Sequence, residues 1–182
     1  YGLNFPMVTI SDMVQVQQGL DVLYDRGQGL YLAASQDCQQ IDVWGSICGC
    51  ALGAFTAKRR KVVARTLWER RERYLYRAQV RHLLYPEHWE RQFTRNIVAK
   101  EYLEPDRFQN GAYWATPAGW LAEGFEGLEP GRGVDLMCAL VDDFCEHGVW
   151  ECVGPDGYHR VPDNLSSIVL PYRSFKKLLA SA

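Results

Sequence analysis

Residues 108–120 read Phe-Gln-Asn-Gly-Ala-Tyr-Trp-Ala-Thr-Pro-Ala-Gly-Trp. The segment sets two amides among aromatic side chains, directly before a Thr-Pro pair that is typical of a helix N-terminus. Amides exchange hydrogen bonds with hydroxyl groups, and aromatic faces stack on apolar ring surfaces. The segment therefore predicts a sugar-facing loop that leads into a helix. Gln109 and Asn110 either bind substrate or tie down the loop, and Trp114 is either a stacking platform or a core residue.

Outward from this segment, apolar residues recur at helical spacing in both directions. Helices are predicted over residues 11–24, 42–55, 57–74, 131–147 and 172–179, together with one that follows Thr116-Pro117. The second and third form an antiparallel hairpin. Residues 79–83 have an extended pattern, and residues 149–161 form a loop or hairpin around Gly-Pro-Asp-Gly. The predicted fold is mostly α, built from helical hairpins with functional residues in the loops.

The amino-acid composition argues against several classes of protein. The 182 residues carry a net charge of −2, so bulk electrostatics gives no reason to expect a nucleic-acid partner. No stretch reaches the ~20 apolar residues that span a bilayer. The six cysteines form no C-x-x-C pair and the four histidines are scattered, so neither a metal nor another cofactor is expected. Reduced thiols favour a cytoplasmic location, although a chain that starts at Tyr1 suggests a cut N-terminus.

Three further segments place polar groups beside aromatic residues close to a helix end. Residues 40–46 contain Asp42 and Trp44, residues 79–83 contain Arg81 and His82, and residues 148–151 contain Glu151. Carboxylates, amides and indoles in such loops form the kind of surface that binds sugars. Asp42 is also a good N-cap for the second helix, and His82 is also well placed to be a structural group.

The Gln-Asn-Gly-Ala-Tyr-Trp segment at 109–114, followed by Pro-Ala-Gly-Trp at 117–120, resembles a signature of six-hairpin glycosidases. The segments at 42–46 and 149–151 are similar to other parts of these proteins, and the likeness spans about residues 30 to 170. The resemblance implies an (α/α)6 toroid with its site at the end where the inter-helix loops gather. A full barrel has twelve helices, and about six are predicted here. Residues 1–182 are therefore expected to form a single domain that is the C-terminal half of a larger toroid, and to need self-association or the missing N-terminal half.

The same resemblance implies glycoside hydrolysis of the inverting type, in which one carboxyl group protonates the leaving oxygen and another activates water. The predicted catalytic pair is Glu151 and Asp42. The predicted substrate-binding residues are Trp44, Arg81, His82, Gln109, Asn110, Tyr113 and Trp114. Two alternatives stay open. One is a non-catalytic carbohydrate-binding or assembly protein of the same fold, and the other is a toroid sugar epimerase or isomerase in which His82 faces His159.

Overall fold

A computed structural model describes residues 10–34, 36, 38–90 and 104–180. Within these ranges the chain is mostly helical, with two small antiparallel sheets. The helices are α1 (Ile10–Leu23), α2 (Val43–Ala51), α3 (Ala57–Glu69), α4 (Ala118–Glu126), α5 (Arg132–His147) and α6 (Leu165–Leu179). None of the helices in these ranges combines the length and the apolar character needed to cross a bilayer.

The predicted helices are present, and their ends follow local capping chemistry. Helix α2 ends at Ala51, earlier than predicted, because Gly53 has a φ of +70° and turns the chain out of the helix. Helix α3 gives way at Glu69 to a short 3-10 turn. Helix α4 has Pro117 at its N-cap, one residue later than the predicted Thr116. Helix α6 begins at Leu165, seven residues earlier than predicted, because the Asn164 side chain accepts a hydrogen bond from the Ser167 amide.

The core is centred on α4, which packs against α2, α5 and α6. Leu121 and Phe125 on α4 are each 1% exposed, and they share one apolar cluster with Ile47 and Leu140. Burying side chains of this size stabilises a fold by roughly 1.5–3 kcal/mol each. The packing of α4 therefore fixes the relative positions of the loops that precede α2 and α4.

The main correction to the predicted fold is a five-stranded antiparallel sheet. Its strands lie in chain order: β3 (Leu75–Tyr76), β4 (Gln79–Arg81), β5 (Tyr113–Trp114), β6 (Trp150–Val153) and β7 (His159–Pro162). A smaller sheet pairs β1 (Tyr24–Asp25) with β2 (Leu30–Tyr31). Strand β4 and the hairpin β6–β7 match the extended and hairpin segments that the sequence predicts. Strand β5 is only two residues long and joins these two parts into one sheet.

The six cysteines are all unpaired. Cys138 and Cys145 are exposed on α5, whereas Cys38 and Cys152 are buried. Burial raises the pKa of the Cys50 and Cys152 thiols to about 12.

Gly119 lets α4 and α6 approach closely, and this contact can be tested. A Cβ at Gly119 would lie 2.9 Å from the Cα of Pro171 and from Ser174. We expect Gly119→Ala to lower the free energy of unfolding by roughly 1–3 kcal/mol, because the two helices must separate. Gly19→Ala is the matched control, since nothing lies within 4 Å of its Cβ. It should raise stability by roughly 0.5–1 kcal/mol. Urea unfolding of both variants measures these changes. Equal changes in the free energy of unfolding would contradict the close contact between α4 and α6.

Candidate functional site

Five aromatic rings from four separate segments meet beside β4 and β5. We call them the ring cluster: Trp44, His82, Trp89, Phe108 and Trp114. The Trp44 indole is stacked on the His82 imidazole, with 3.6 Å between centroids and 17° between planes. Trp114 presents an edge to both, at 5.7 Å from Trp44 and 6.3 Å from His82. Trp89 lies 6.2 Å from His82, and Phe108 lies 5.1 Å from Trp114.

Backbone pairing brings these rings together. The amide of Val43, the first residue of α2, donates to the His82 carbonyl at 2.9 Å. The Trp44 indole N–H donates to the Val80 carbonyl at 3.3 Å, and Val80 pairs with Trp114 across β4 and β5. The N-terminus of α2 is thereby held against the sheet. Trp44, His82, Trp89 and Phe108 are half-buried and Trp114 is 8% exposed, so the ring cluster forms part of the surface.

His82 is held in this cluster as a neutral ring. Its Nε2 atom is buried and has no hydrogen-bond partner in the described part of the chain. Burial among apolar rings lowers the pKa of His82 to about 3, because the imidazolium form loses its hydration there. A neutral imidazole can both donate and accept a hydrogen bond, which suits a hydroxyl group.

Arg81 holds the loop of residues 104–112 that carries Phe108. Its side chain is fully buried, and it donates from Nε to the Gly111 carbonyl at 3.0 Å and from Nη2 to Asp106 Oδ1 at 3.2 Å. Three residues of this loop have positive φ, namely Asp106 (62°), Phe108 (41°) and Gly111 (128°). Non-glycine residues in this region cost roughly 1–3 kcal/mol each. The buried guanidinium stabilises a loop conformation that is otherwise unfavourable.

The side chain of Asn110 and the backbone carbonyl of Gln109 both accept hydrogen bonds from Trp89. Asn110 is buried, and its side-chain oxygen accepts from the Trp89 amide at 2.8 Å. The Trp89 indole N–H donates to the Gln109 carbonyl at 3.0 Å, and the Gln109 side chain is exposed. Asn110 therefore positions a ring of the cluster, while Gln109 presents its side-chain amide to solvent.

Glu151 reaches the ring cluster through Arg160. Its Oε2 atom is buried without a hydrogen bond within the described ranges, and it lies 3.7 Å from the Arg160 Nε. The Arg160 guanidinium lies over the Phe108 ring at 4.7 Å. The carboxylate is 21% exposed. Arg160 thus links the Glu151 carboxylate to the ring cluster.

Asp42 is the N-cap of α2. Its side chain accepts from the Gly45 amide at 2.9 Å, which matches the capping role that the sequence allows. Burial nevertheless raises the pKa of Asp42 above its ordinary value of 3.8. Asp42 lies two residues before Trp44 in the chain, where α2 begins.

Tyr113 and Arg81 do not join the ring cluster. Successive strand residues point to opposite faces, so Tyr113 faces away from Trp114. The Tyr113 ring lies 5.5 Å from Tyr76, and burial raises its pKa. The Arg81 side chain is fully buried, so it affects the site only by holding the loop of residues 104–112 in place. For both residues, the direct substrate contact that the sequence suggests stays a prediction.

Three residues of the site escaped the sequence prediction: Trp89, Phe108 and Arg160. Trp89 lies in a segment whose sequence is typical of a turn. Arg160 follows the turn at residues 154–157. For Trp89 the only available signal was the number of tryptophans, six in the chain, whereas Phe108 opens the segment 108–120 without being singled out. His159 contacts Trp150 at 4.1 Å and the Gly157 carbonyl at 2.9 Å, and no contact with His82 is found in the described residues.

A cavity of about 450 Å³ lies at the other end of α2. It is lined by Cys50, Arg60, Lys61, Glu123 and Leu178 among others, and no aromatic ring of the described chain contributes to it. The nine residues of α2 separate it from the ring cluster by about 12–14 Å. The candidate site is therefore placed at the ring cluster, where aromatic rings and carboxylates meet. Among the described residues there is also no group of three His, Cys, Asp or Glu that could hold a metal ion.

The fold is similar to part of solved glycoside hydrolase structures. A GH63 mannosylglycerate hydrolase from Thermus thermophilus in complex with glucose matches with a TM-score of 0.58 at 18% identity, covering 93% of this chain and 37% of that one. The same enzyme with Tris and D-glycerate matches with a TM-score of 0.55 at 16% identity, covering 94% and 38%. An uncharacterized conserved protein from the same organism gives 0.56 at 16%, covering 93% and 40%. No family model and no curated protein matches the sequence.

These matches define the class of fold. The chain is mostly helical, and its fold is similar to that of part of a GH63 mannosylglycerate hydrolase. The fold resemblance predicted from residues 109–120 is thereby confirmed. The chain spans 37 to 40% of the length of these three structures.

The role of Arg81 can be tested by a charge-conserving change. Arg81→Lys keeps the charge but loses the fork that reaches both Gly111 and Asp106. We expect the free energy of unfolding to fall by roughly 2–4 kcal/mol, because the strained loop loses its anchor. Arg65→Lys, at an exposed position on α3, is the control and should change stability by less than about 0.5 kcal/mol. Urea denaturation, monitored by tryptophan fluorescence, measures the stability of both variants. If Arg81→Lys is as stable as the parent protein, Arg81 does not anchor the loop.

The lowered pKa of His82 leads us to expect a specific dependence of stability on pH. A histidine whose pKa is lowered in the folded state contributes stability above its ordinary pKa of 6.5, and this is lost as pH falls towards about 3. The free energy of unfolding should fall by at most roughly 3–5 kcal/mol for this reason. His82→Phe keeps a stacked ring and should show a shallower acid dependence, whereas His159→Phe, at an exposed ring, should follow the parent protein. Unfolding free energies between pH 7 and pH 4 provide the measurement, and identical slopes for His82→Phe and the parent would contradict it.

Proposed function

We propose that the chain forms the C-terminal part of an (α/α)6 toroid of the six-hairpin glycosidase type and that its ring cluster binds a glycoside. The observation that carries the proposal is the convergence of Trp44, His82, Trp89, Phe108 and Trp114 at one surface next to Glu151. Rings of this kind stack on the apolar face of a pyranose. The buried Nε2 of His82 and the exposed amide of Gln109 supply uncharged hydrogen-bonding groups for hydroxyls.

The proposed chemistry is glycoside hydrolysis with Glu151 and Asp42 as the carboxyl pair. Asp42 has a raised pKa, as a general acid requires, so it is the group that would protonate the leaving oxygen. Glu151, beside the guanidinium of Arg160, would act as the base that activates water. Gln109 and Trp44 would contact the sugar, and Asn110 and Arg81 would position the loop.

A second candidate is a protein that binds carbohydrate without hydrolysing it. The capping bond of Asp42 favours it, because a carboxylate that satisfies the α2 N-terminus is less available for proton transfer. The ring cluster would serve both functions, so the two candidates differ only in the carboxylates. An epimerase would need a second histidine at the cluster, and His159 lies against Trp150 and Gly157.

Binding is the first test of the proposal. A panel of monosaccharides that includes glucose is titrated against the chain by two-dimensional NMR. Trp44→Leu should raise the dissociation constant roughly tenfold or more, because it removes the central stacked ring. Trp120→Leu, on α4 and outside the ring cluster, is the matched control and should bind as the parent does. Equal affinities for Trp44→Leu and the parent would remove the ring cluster as the binding surface.

Hydrolysis separates the two candidates. Glu151→Gln should lower kcat/KM on chromogenic glycosides by roughly 10²–10⁴, the usual effect of losing a positioned acid or base. Asp42→Asn keeps a good N-cap, so a comparable loss in this variant with unchanged stability assigns catalysis to the Asp42 carboxylate. Glu146→Gln, at an exposed position of α5, should be fully active. Binding without measurable hydrolysis in the unchanged chain favours the non-catalytic candidate, and full activity of Glu151→Gln removes Glu151 from catalysis.

A further inference from the structure

Helix α6 exposes a row of large apolar side chains, whereas most of its inward positions are occupied by small residues. The buried positions are Ser167, Pro171, Ser174 and Leu178. The exposed positions include Leu165 (70%), Ile168 (45%), Val169 (51%), Tyr172 (58%) and Leu179 (54%). At 3.6 residues per turn, these five side chains lie within one arc of about 100° along the whole helix. We call them the outer stripe of α6.

The inward face of α6 is fixed by specific contacts, so the helix cannot rotate to bury the outer stripe. The Ser167 hydroxyl donates to the Trp150 carbonyl at 2.8 Å, and the Ser174 hydroxyl donates to Glu123 at 2.7 Å. Gly119 on α4 lies directly against Pro171 and Ser174, where even one added methyl group would clash. The small inward residues are therefore required by the close approach of α4 and α6. No element of the described chain covers the opposite face.

The outer stripe has enough apolar surface for a weak but specific association. With Val161 of the adjacent strand β7, which is 46% exposed, it offers on the order of 600 Å² of apolar side-chain surface, at the upper end of what a monomer leaves open. Burying this surface on two copies would remove roughly 1,000–1,200 Å² from water, which reaches the lower range of specific interfaces.

The charges around the outer stripe favour one orientation. The basic side chains Arg173 and Lys176 lie in the C-terminal half of α6, where Lys177 is already paired with Glu123, and Asp163 lies just before the N-terminus of the helix. A parallel pair of helices would place like charges side by side, whereas an antiparallel pair brings the basic end of one helix to Asp163 of the other. Antiparallel packing also aligns the helix dipoles favourably. Lys176 lies within the arc, with its ammonium 6.0 Å from the centre of the Tyr172 ring, so its aliphatic part can pack while its charge reaches solvent.

We propose that the outer stripe of α6 is a homodimer interface, in which a second copy packs its own α6 antiparallel across a two-fold axis near Tyr172. In this arrangement Leu165 of one copy lies opposite Leu179 of the other, and Tyr172 meets its own copy. The stripe involves none of the ring-cluster residues, so the dimer and glycoside binding can be tested separately.

The oligomeric state in solution tests the proposal. Sedimentation velocity over about 1–100 µM should show a dimer of the unchanged chain, corresponding to a dissociation constant in the micromolar range or below. Ile168→Glu should shift the chain to monomer, raising the dissociation constant at least tenfold. Val22→Glu, at a residue of α1 that is 68% exposed, is the control and should stay dimeric. Circular dichroism and thermal unfolding should show both variants to be folded, because both positions are exposed. A monomer at all concentrations, or a dimer that Ile168→Glu leaves intact, overturns the proposal.

Cross-linking tests the orientation independently. Under mild oxidation Tyr172→Cys should form a reducible dimer, since the two-fold axis brings the residue against its own copy. The unchanged chain, with its exposed Cys138 and Cys145, gives the background. Leu165→Cys should remain at that background, because its antiparallel neighbour is Leu179. A stronger disulfide from Leu165→Cys than from Tyr172→Cys would exclude the antiparallel arrangement.

Discussion

The candidate site depends on one buried guanidinium. Arg81 has no contact with solvent, and a buried charge is tolerated only where hydrogen bonds replace its hydration. Its bonds to Gly111 and Asp106 meet part of that need and at the same time close the loop of residues 104–112. Asp106 also bonds to His88, at 3.0 Å, and thereby joins the segment that carries Trp89 to this loop. Two of the five rings in the cluster thus owe their positions to a residue that lies behind the surface.

A neutral histidine among indoles gives this surface a particular chemical character. The rings are apolar, and the His82 imidazole adds hydrogen-bonding capacity without charge across the physiological pH range. Such a surface suits a polyhydroxylated ligand better than a strongly ionic one. Two carboxylates are connected to this surface indirectly: Asp42 caps α2 two residues before Trp44, and Glu151 faces Arg160.

The sequence predicts the helices well because their apolar periodicity extends over many residues. It does not predict β5, because two residues are too few for an alternating pattern, and Tyr113-Trp114 becomes a strand only through pairing with β4 and β6. The site divides in the same way. Trp44, His82 and Trp114 are predicted because polar and aromatic residues flank them, whereas Trp89 and Phe108 enter through bonds to residues distant in the chain. The capping role of Asp42 is readable from its place before α2, but its desolvation is a property of the assembled fold.

The cysteines of the chain differ in their accessibility to labelling reagents. Cys138 and Cys145 are exposed on one face of α5, seven residues and thus about 10 Å apart along the helix. The thiols of Cys50 and Cys152 resist ionisation, since their pKa values are about 12, and burial also raises the pKa of the half-buried Cys48. Cys38 is buried. Maleimide reagents at neutral pH should accordingly label α5 first. A pair of spin labels attached there would report on the geometry of this helix without engineering of the chain.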